Sequence, residues 1–323
     1  MYTEYFGPID RENLKNSSHF LEAAARKLQQ GGLIAFPTET TYGLGAAILN
    51  QSALSLIYKV KNRNFASPLP VQVAHFDQAK FIASDIPEEA HFLAKTFLPG
   101  PLTIILKKNK NLPDIICAGK ETVAIRISSD PIARRLIELT GCPLAVPSAN
   151  ISGKPSAIKA NHVLEDFNGL IDGVVDGGAA EYGMESTLIS LEDPKHPIIL
   201  RFGLISQKEI ERALNRKVTM HPSALMLNRN AALGGVRSAI RLFSSSEEVR
   251  IYLKLSAKSK RMIMSDKSIN LSEGDHFQLS SNNLYEGLRL ADRSGYAEVL
   301  VVCTPELKKN TLLLNRLKQI AQS

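Results

Sequence analysis

The sequence predicts an α/β protein of two domains, because short apolar runs that suit buried strands mix with amphipathic stretches of helical period. The chain has 323 residues, of which 44% are hydrophobic, so it is long enough for two domains with ordinary cores. Residues 215–238 differ in composition, since they contain neither Asp nor Glu and no clear period. We therefore predict a first domain at 1–214, a linker at 215–238 and a smaller α/β domain at 239–323.

A polar loop follows the first predicted buried strand, Leu33 to Phe36. The strand ends at Pro37, which cannot continue a ladder of hydrogen bonds. Three threonines, a glutamate and a tyrosine follow at 38–42, and Gly43 and Gly45 are expected to let the backbone turn tightly and come close to another group. Open α/β sheets place ligands at the carboxyl ends of their strands, so this loop is a candidate binding site. The alternative is a β-turn whose polar residues only cap the next element.

Helices and strands mix through the rest of the first domain. A serine can cap the first helix and Gly31 can end it, while Pro87 suits the first turn of a later helix that opens with two glutamates. The predicted helices are 19–30, 52–61, 87–97, 132–139, 159–167 and 206–214. The predicted strands are 69–74, 102–106, 122–127, 144–146, 170–175, 187–191 and 198–201.

The second domain repeats the mixture on a smaller scale. Strands are predicted at 239–243, 261–264 and 297–302, and helices at 246–257, 283–294 and 310–321. These elements predict a second, smaller α/β unit.

Composition excludes several classes of protein. No apolar run approaches the roughly 18 residues of a membrane span. The N-terminal residues lack a basic segment followed by an apolar one, so we expect neither a membrane protein nor a secreted one. Cys117, Cys142 and Cys303 are scattered and odd in number, which suits a reducing compartment better than a disulfide framework. A cytoplasmic protein is therefore expected.

The net charge of +7 is concentrated in the last third of the chain. Residues 1–206 contain 20 Lys and Arg against 21 Asp and Glu, a net charge of −1. Residues 207–323 contain 19 against 11, a net charge of +8. One explanation is a solvated basic surface, and the other is steering toward nucleic acid or another polyanion.

Known signatures of hydrolases, metal sites and phosphate-binding loops are missing. The chain has no Gly-x-Ser-x-Gly elbow, and its seven histidines and three cysteines show no metal-ligand spacing, so no metal site is predicted. Gly153-Lys154 with Ser156 resembles the end of a phosphate loop, but Ser148 stands where the first glycine belongs.

Small hydroxyls beside cations follow several predicted strands. Hydroxyls orient polar ligands, and arginine binds carboxylate or phosphate through two parallel hydrogen bonds. Arg126 lies inside a strand, where burial is expensive without an anionic partner, either a structural salt bridge or a ligand. The set comprises Thr38, Thr40, Lys61, Arg63, Ser67, Thr122, Arg126, Ser148, Asn150, Ser156, Ser186, Thr187 and Arg201. For Lys61 and Arg63 the alternative is a favourable interaction with a helix dipole. Together these residues indicate a site for a nucleotide and a small acid or zwitterion.

Several motifs follow one another along the chain. They are Pro37-Thr-Glu-Thr-Thr-Tyr-Gly-Leu-Gly45, Lys61-Asn-Arg63, Pro99-Gly-Pro-Leu-Thr103, Thr122-Val-Ala-Ile-Arg126, Pro147-Ser-Ala-Asn150, Ser152-Gly-Lys-Pro-Ser156, Asp176-Gly-Gly178, Glu185-Ser-Thr187 and Ile199-Leu-Arg-Phe-Gly203. In order and spacing they resemble the YrdC-type domain of threonylcarbamoyl-adenylate synthases over about residues 15–215. A weaker resemblance, most visible in Leu314-Asn-Arg316, extends to the C-terminal domain of the two-domain form.

The resemblance implies a fold and a reaction. The fold is a YrdC-like twisted mixed sheet with helices, followed by a smaller Rossmann-like α/β domain. In the reaction, L-threonine, bicarbonate and ATP give L-threonylcarbamoyladenylate and pyrophosphate, with Mg²⁺ accompanying ATP and no tightly bound organic cofactor. The product would pass to a transferase complex that modifies the adenosine beside the anticodon of tRNA.

The resemblance also implies roles for individual residues. The charges of Lys61 and Arg63 would be catalytic, because the carbamate and the α-phosphate are anions that must meet. L-threonine would be bound by Thr40, Gln72, Arg126, Val146 and Ser186, and ATP by Arg63, Ser67, Thr122, Ser148, Ser156 and Arg201.

Three departures from the family pattern stand out. Gln72 occupies a position that is usually His and cannot become a cation, and Ser67 replaces an Asn. The two-domain form carries a linker motif, Ser-x-Gly with a following His-Tyr-x-Pro, which is absent from about 223–240. We hypothesise that Arg229 or Arg237 takes over its phosphate contact.

Two other functions compete with the synthase. A catalytically degenerate RNA-binding YrdC-like protein would suit the basic last third and the altered linker, although it would have no need for a threonine pocket. A related carbamoyl-transfer maturation enzyme is disfavoured, because its zinc-finger and acylphosphatase-like segments are missing.

Overall fold

The computed structural model describes residues 2–222, 235–269, 271 and 273–321. These residues form two compact units, one with residues 2–152 and 156–222 and the other with residues 153–155 and 235–321. The middle of the predicted linker, including Arg229, lies outside the described residues. In the described parts of both units, no helix is both long enough and apolar enough to cross a bilayer.

In the described residues of the first unit, eleven strands form one mixed sheet. In chain order, β1 to β11 are Glu4–Phe6, Ile34–Phe36, Gly43–Ala47, Val71–Gln72, Leu102–Lys107, Thr122–Arg126, Leu144–Ala145, Gly173–Val175, Thr187–Ser190, Ile198–Arg201 and Thr219–Met220. Their order across the sheet is β1-β8-β2-β3-β7-β4-β6-β5-β9-β10-β11, with both parallel and antiparallel neighbours. The predicted mixed α/β sheet is confirmed. Strand β11 lies within the stretch 215–238.

Helices cover both faces of this sheet. Helices α1 to α7 are Ser18–Gln29, Gln51–Lys61, Glu88–Phe97, Asp114–Cys117, Pro131–Thr140, Ala160–Phe167 and Gln207–Leu214, and the 3₁₀ helices are Leu14–Ser17 and Phe76–Phe81. The Asp130 side chain accepts from the Ile132 N–H and caps α5, and Gly141 ends α5 with a φ of +78°.

Two hydrophobic cores lie on opposite faces of the sheet. Along β2, Ala35 belongs to one core and its neighbours Ile34 and Phe36 to the other, and side chains alternate between the faces of a strand. Helices α1 and α5 fill the core of Ile34 and Phe36. Helices α2, α3, α4, α6 and α7 fill the core of Ala35.

The expectation of a tight turn at Gly43 and Gly45 is wrong, because both glycines lie inside strand β3. A Cβ on Gly43 would lie 2.3 Å from Val146 Cγ1, and a Cβ on Gly45 would lie 2.6 Å from Phe36 Cε1. Glycine is therefore required by close packing across the sheet and not by a turn, so the expected close approach is confirmed.

In the second unit, the described residues form a four-stranded parallel sheet, in the order β12-β15-β13-β14. Strands β12 to β15 are Ala239–Phe243, Arg261–Ser265, Asp275–Gln278 and Glu298–Val302. The helices, which we number α8 to α11, are Ser246–Leu255, Leu284–Arg293, Pro305–Lys309 and Thr311–Ala321. The predicted α/β class of this unit is confirmed, and β14 is an additional edge strand.

Candidate active site

The loop between β2 and β3 is closed by the Thr38 side chain. The Thr38 hydroxyl donates to Thr41 O at 2.6 Å and accepts from the N–H groups of Thr40 and Thr41, each at 3.2 Å. It also lies 2.9 Å from the Thr40 hydroxyl. Either hydroxyl can donate across this contact, and in both cases Thr40 Oγ1 keeps a lone pair. The remaining lone pair of Thr40 Oγ1 is an acceptor, which suits a ligand that donates.

Glu39, in the same loop, pairs with the predicted ligand Arg126. Glu39 Oε1 lies 2.7 Å from Arg126 Nη2, and the Ser128 hydroxyl donates to Glu39 Oε2. Burial raises the pKa of the Glu39 carboxyl, but the Arg126 charge and the hydrogen bond from Ser128 outweigh it, so the net shift is downward. The carboxylate is therefore ionised at neutral pH. The salt bridge left open by the sequence exists, but Arg126 Nη2 and Glu39 Oε1 meet only as an ion pair, since neither atom has a hydrogen-bond partner in the described structure.

Arg126 and Gln72 lie side by side on one face of the sheet. They are register partners in the parallel pair β4 and β6, and both are less than 9% exposed. Within the described structure, Arg126 Nε and Gln72 Oε1 are buried without a hydrogen-bond partner. A buried polar atom without a partner costs about 1–3 kcal/mol. This donor and this acceptor are therefore well placed for a ligand that carries both an anionic and a donor group.

The predicted residue Ser186 is held from two sides. Its hydroxyl lies 2.7 Å from the hydroxyl of Thr103 and accepts from Arg201 Nη2 at 2.9 Å. Arg201 Nε also donates to Ser186 O at 3.0 Å. The chain of Gly203 passes so close that a Cβ there would lie 2.3 Å from Ser186 C and from Thr187 N. Ser186 and Arg201, which we assigned to threonine and to ATP respectively, are thus in direct contact.

Lys61 and Arg63, at the end of α2, differ in burial and in hydrogen-bond partners. Lys61 is 1% exposed, and its Nζ donates to Ser148 O and to Asn150 O, each at 2.5 Å. Burial and then the Arg63 charge lower the pKa of Lys61 to about 7, against a smaller opposite effect of Asp166. Arg63 is half-buried and donates to Ser67 O and Pro68 O at 3.2 and 2.7 Å. Lys61 is therefore buried against the main chain of Ser148 and Asn150, whereas Arg63 binds the main chain of Ser67 and Pro68.

Three of the other predicted ligands lie on a strand or in a segment that follows one. Val146 follows β7, and its N–H donates to Pro70 O at 2.7 Å. Ser156 is buried and donates to Glu185 Oε1 at 3.1 Å. Thr122 is the first residue of β6 and Arg126 the last, so these two lie at opposite ends of one strand.

Two residues of the site were not singled out from the sequence. Thr103 alternates along β5 with the core residues Leu102 and Ile104, so its place on the polar face could have been read from the strand period. Ser128 follows β6 directly, and no sequence signal connects it with Glu39.

Comparison with known proteins identifies the family. Residues 26–203, more than half of the chain, match the family model Sua5_yciO_yrdC, which carries the description "Telomere recombination". The chain belongs to the Sua5/YciO/YrdC family. The resemblance found in the sequence motifs is confirmed.

Relatives within the Sua5/YciO/YrdC family match one or both units. A threonylcarbamoyl-AMP synthase of Pyrococcus abyssi is 37% identical over 320 residues, which cover 93% of this chain and 93% of the relative. A threonylcarbamoyl-AMP synthase of Bacillus subtilis is 44% identical over 211 residues, covering 65% of this chain and 60% of the relative. The predicted two-domain form and class of enzyme are confirmed.

A solved structure agrees with the fold over nearly the whole chain. The crystal structure of P. abyssi Sua5 complexed with L-threonine matches with a TM-score of 0.84 at 35% identity. The match covers 99% of this chain and 97% of the other.

Proposed function

We propose that this chain forms L-threonylcarbamoyladenylate and pyrophosphate from L-threonine, bicarbonate and ATP. The observation that carries the proposal is the buried pair of Arg126 and Gln72. A guanidinium held at one end by Glu39 keeps Nε available beside an unpartnered amide oxygen. These groups match the carboxylate and the amino group of an amino acid. The bound L-threonine of the P. abyssi relative supports this choice of substrate.

Each end of threonine has a complementary group. The carboxylate would accept from Arg126 Nε, and the amino group would donate to Gln72 Oε1 and to the free lone pair of Thr40 Oγ1. Ser186 and the main chain near Val146 would contact the remainder of the amino acid. Since the amino group must lose its proton to react, acceptor oxygens around it hold the lone pair in a defined direction.

The reaction then needs two bond-forming steps. The threonine nitrogen bonds to the carbon of bicarbonate, and water leaves, which gives a carbamate. A carbamate oxygen next bonds to the α-phosphorus of ATP, and the bond to pyrophosphate breaks. Both reactants of the second step are anions, so cations around them lower its barrier. Arg63 and Arg201 would supply this charge, with Ser67, Thr122, Ser148 and Ser156 as hydroxyl ligands of ATP.

Mg²⁺ would enter as part of the nucleotide substrate, coordinated by the phosphates of ATP. The adenylate product would pass to a threonylcarbamoyl transferase complex acting on tRNA. A mixed anhydride of a carbamate and a phosphate reacts with water, which favours direct hand-off over release.

Pyrophosphate release tests the proposal. The purified chain is incubated with ATP, Mg²⁺ and bicarbonate, with and without L-threonine, and the adenylate is measured by mass spectrometry. L-serine and L-valine serve as matched substrates that lack the methyl and the hydroxyl group. We expect release that depends on L-threonine and is lost in Arg126→Gln but kept in Arg135→Gln, since Arg135 is exposed on α5. A folded protein that releases no pyrophosphate with threonine contradicts the proposal.

RNA binding without catalysis is the second candidate, favoured by the net charge of +8 in residues 207–323. The buried polar pair of Arg126 and Gln72 argues against it, because a protein that only binds RNA has no need for a threonine pocket. If RNA binding were the main role, affinity for tRNA would fall steeply with salt. Synthase activity without such binding would reject this candidate.

A further inference from the structure

We infer that Asp166 is a positioning residue, which together with Lys61 clamps the main chain of residues 148–151 from behind and so places Ser148 for ATP. The inference rests on the proposed function, since ATP is the ligand that the loop would hold. Asp166 lies on α6, outside every sequence motif considered above.

Lys61 supplies one half of the clamp. Its ammonium donates to the carbonyl oxygens of Ser148 and Asn150 at 2.5 Å, and its own carbonyl accepts from the Ser152 N–H at 2.8 Å. With 1% exposure and two donors directed at carbonyl groups, the ammonium has no open path to a phosphate in this conformation. Any effect of Lys61 on ATP therefore passes through the loop.

Asp166 supplies the other half. It is 6% exposed in the last turn of α6, and its Oδ2 accepts from the Ile151 N–H at 3.3 Å. One turn earlier, His162 Nδ1 accepts from the Ile158 N–H at 3.3 Å. Helix α6 thus binds one N–H group, that of Ile151, in the segment whose Ser148 and Asn150 carbonyl groups Lys61 holds, and a second N–H further along, that of Ile158. An anion and a cation therefore contact the main chain of residues 148–151.

The charges of the two residues are coupled. Arg63 on the loop after α2 and Asp166 on α6 are the charged groups that act on Lys61, in opposite directions. Without Asp166, burial and Arg63 would lower the pKa of Lys61 still further, below about 7. A neutral amine holds carbonyl groups less strongly than an ammonium does, so the loop would loosen at neutral pH.

Hydrogen exchange of the ligand-free protein tests the clamp. Asp166→Asn keeps the size and shape of the side chain and removes its charge. The matched control is Glu165→Gln, which removes a charge from the neighbouring, exposed residue of α6. We expect residues 148–152 to exchange at least roughly tenfold faster in Asp166→Asn, the effect of one charge-assisted hydrogen bond. ATP affinity should fall by a similar factor, with threonine affinity unchanged. Unchanged exchange and unchanged ATP affinity in folded Asp166→Asn overturn the inference.

The pH dependence gives a second reading that needs no variant. In the wild type, protection of residues 148–152, corrected for intrinsic exchange, should decrease as the pH rises through about 7, while protection of α5 stays constant. Constant protection of residues 148–152 from pH 6 to 9 overturns the inference. This test uses only the wild type, so it decides the question even if Asp166→Asn does not fold. Because exchange is measured without ligand, an absence of synthase activity would contradict the proposed function and leave this test intact.

Discussion

Replacing Arg126 with lysine separates the charge of this residue from its geometry. In the wild type, Arg126 Nη2 lies 2.7 Å from Glu39 Oε1 as an ion pair, and neither Nη2 nor Nε has a hydrogen-bond partner in the described structure. A lysine ammonium is a single point of charge on a flexible stem and cannot contact Glu39 and a substrate carboxylate in the fixed directions of a guanidinium. We expect Arg126→Lys to keep the ion pair with Glu39 and to lose the hydrogen bond to threonine.

The size of the effect follows from that one bond. A hydrogen bond to a charged group contributes about 1.5–3 kcal/mol. At about 1.4 kcal/mol per factor of ten, threonine should bind roughly 10- to 150-fold more weakly. Stability should change less than in Arg126→Met, which leaves Glu39 buried without a cation, a loss of about 3–5 kcal/mol.

Calorimetric titration with L-threonine measures the first effect, and urea unfolding measures the second. Arg135→Lys is the control, because Arg135 is half exposed and its ion pair with Glu138 at 3.1 Å contributes little to stability. Threonine affinity within about threefold of the wild type, in a folded Arg126→Lys protein, would refute the assignment of Nε to the substrate.

Three further predictions concern stability. Burial raises the pKa of Glu39, but the interactions with Arg126 and Ser128 together outweigh burial, so the net shift is downward. The ion pair therefore stabilises the fold above the ordinary pKa of 4.5, and this stabilisation is lost as the pH falls below it. Glu39→Gln should make stability less dependent on pH in urea unfolding from pH 3 to 7. Burial likewise raises the pKa of Glu298 in the second unit, but hydrogen bonds from a tyrosine and two arginines lower it to about 2. Glu298→Gln should therefore lower the free energy of unfolding by at most about 3 kcal/mol at pH 7, and by less as the pH falls from 4.5 to 2. Gly203→Ala should displace Ser186, with a loss of more than about 2 kcal/mol and weaker threonine binding by calorimetry, because the new methyl group would meet main-chain atoms at 2.3 Å.

Elements with strong local signals could be predicted from the sequence. Strand Ala239–Phe243 was predicted with the observed bounds, and helix Pro131–Thr140 within one residue at each end. The helix carries its own start and stop, an aspartate cap and a left-handed glycine. Signals within the segment itself were enough to predict these elements, because nothing in the same residues favoured another secondary structure.

Strands that depend on distant partners could not be predicted. Glu4–Phe6 is a strand because it pairs with Gly173–Val175, and nothing in its three residues indicates this. The glycines at 43 and 45 predict a tight turn, but Gly43–Ala47 is a strand, and groups from outside it, among them Phe36 and Val146, lie where side chains on its glycines would be. Val71–Gln72 is shorter than the predicted 69–74, because its antiparallel neighbour Leu144–Ala145 provides only two paired residues.

Some features of the candidate site could likewise be predicted from the sequence, and others could not. The cost of burying a cation predicted that Arg126 has an anionic partner, but the identity of that partner, Glu39, depends on how the loop after β2 folds over β6. The motifs placed Lys61 among the catalytic charges, whereas its contacts run to carbonyl groups behind the loop. Residue type and order are properties of the sequence, while the direction of a side chain is a property of the packing around it.

Strand β6 sets the spacing of the proposed substrates. Thr122, Ala124 and Arg126 share one face of this strand, because Val123 and Ile125 between them point into the core. Four steps of about 3.3 Å place the Cα atoms of Thr122 and Arg126 roughly 13 Å apart. With ATP at Thr122 and threonine at Arg126, the carbamate and the α-phosphate would meet over Ala124. A small side chain there leaves room for the two anions, and the rigid strand holds their binding groups at a fixed separation.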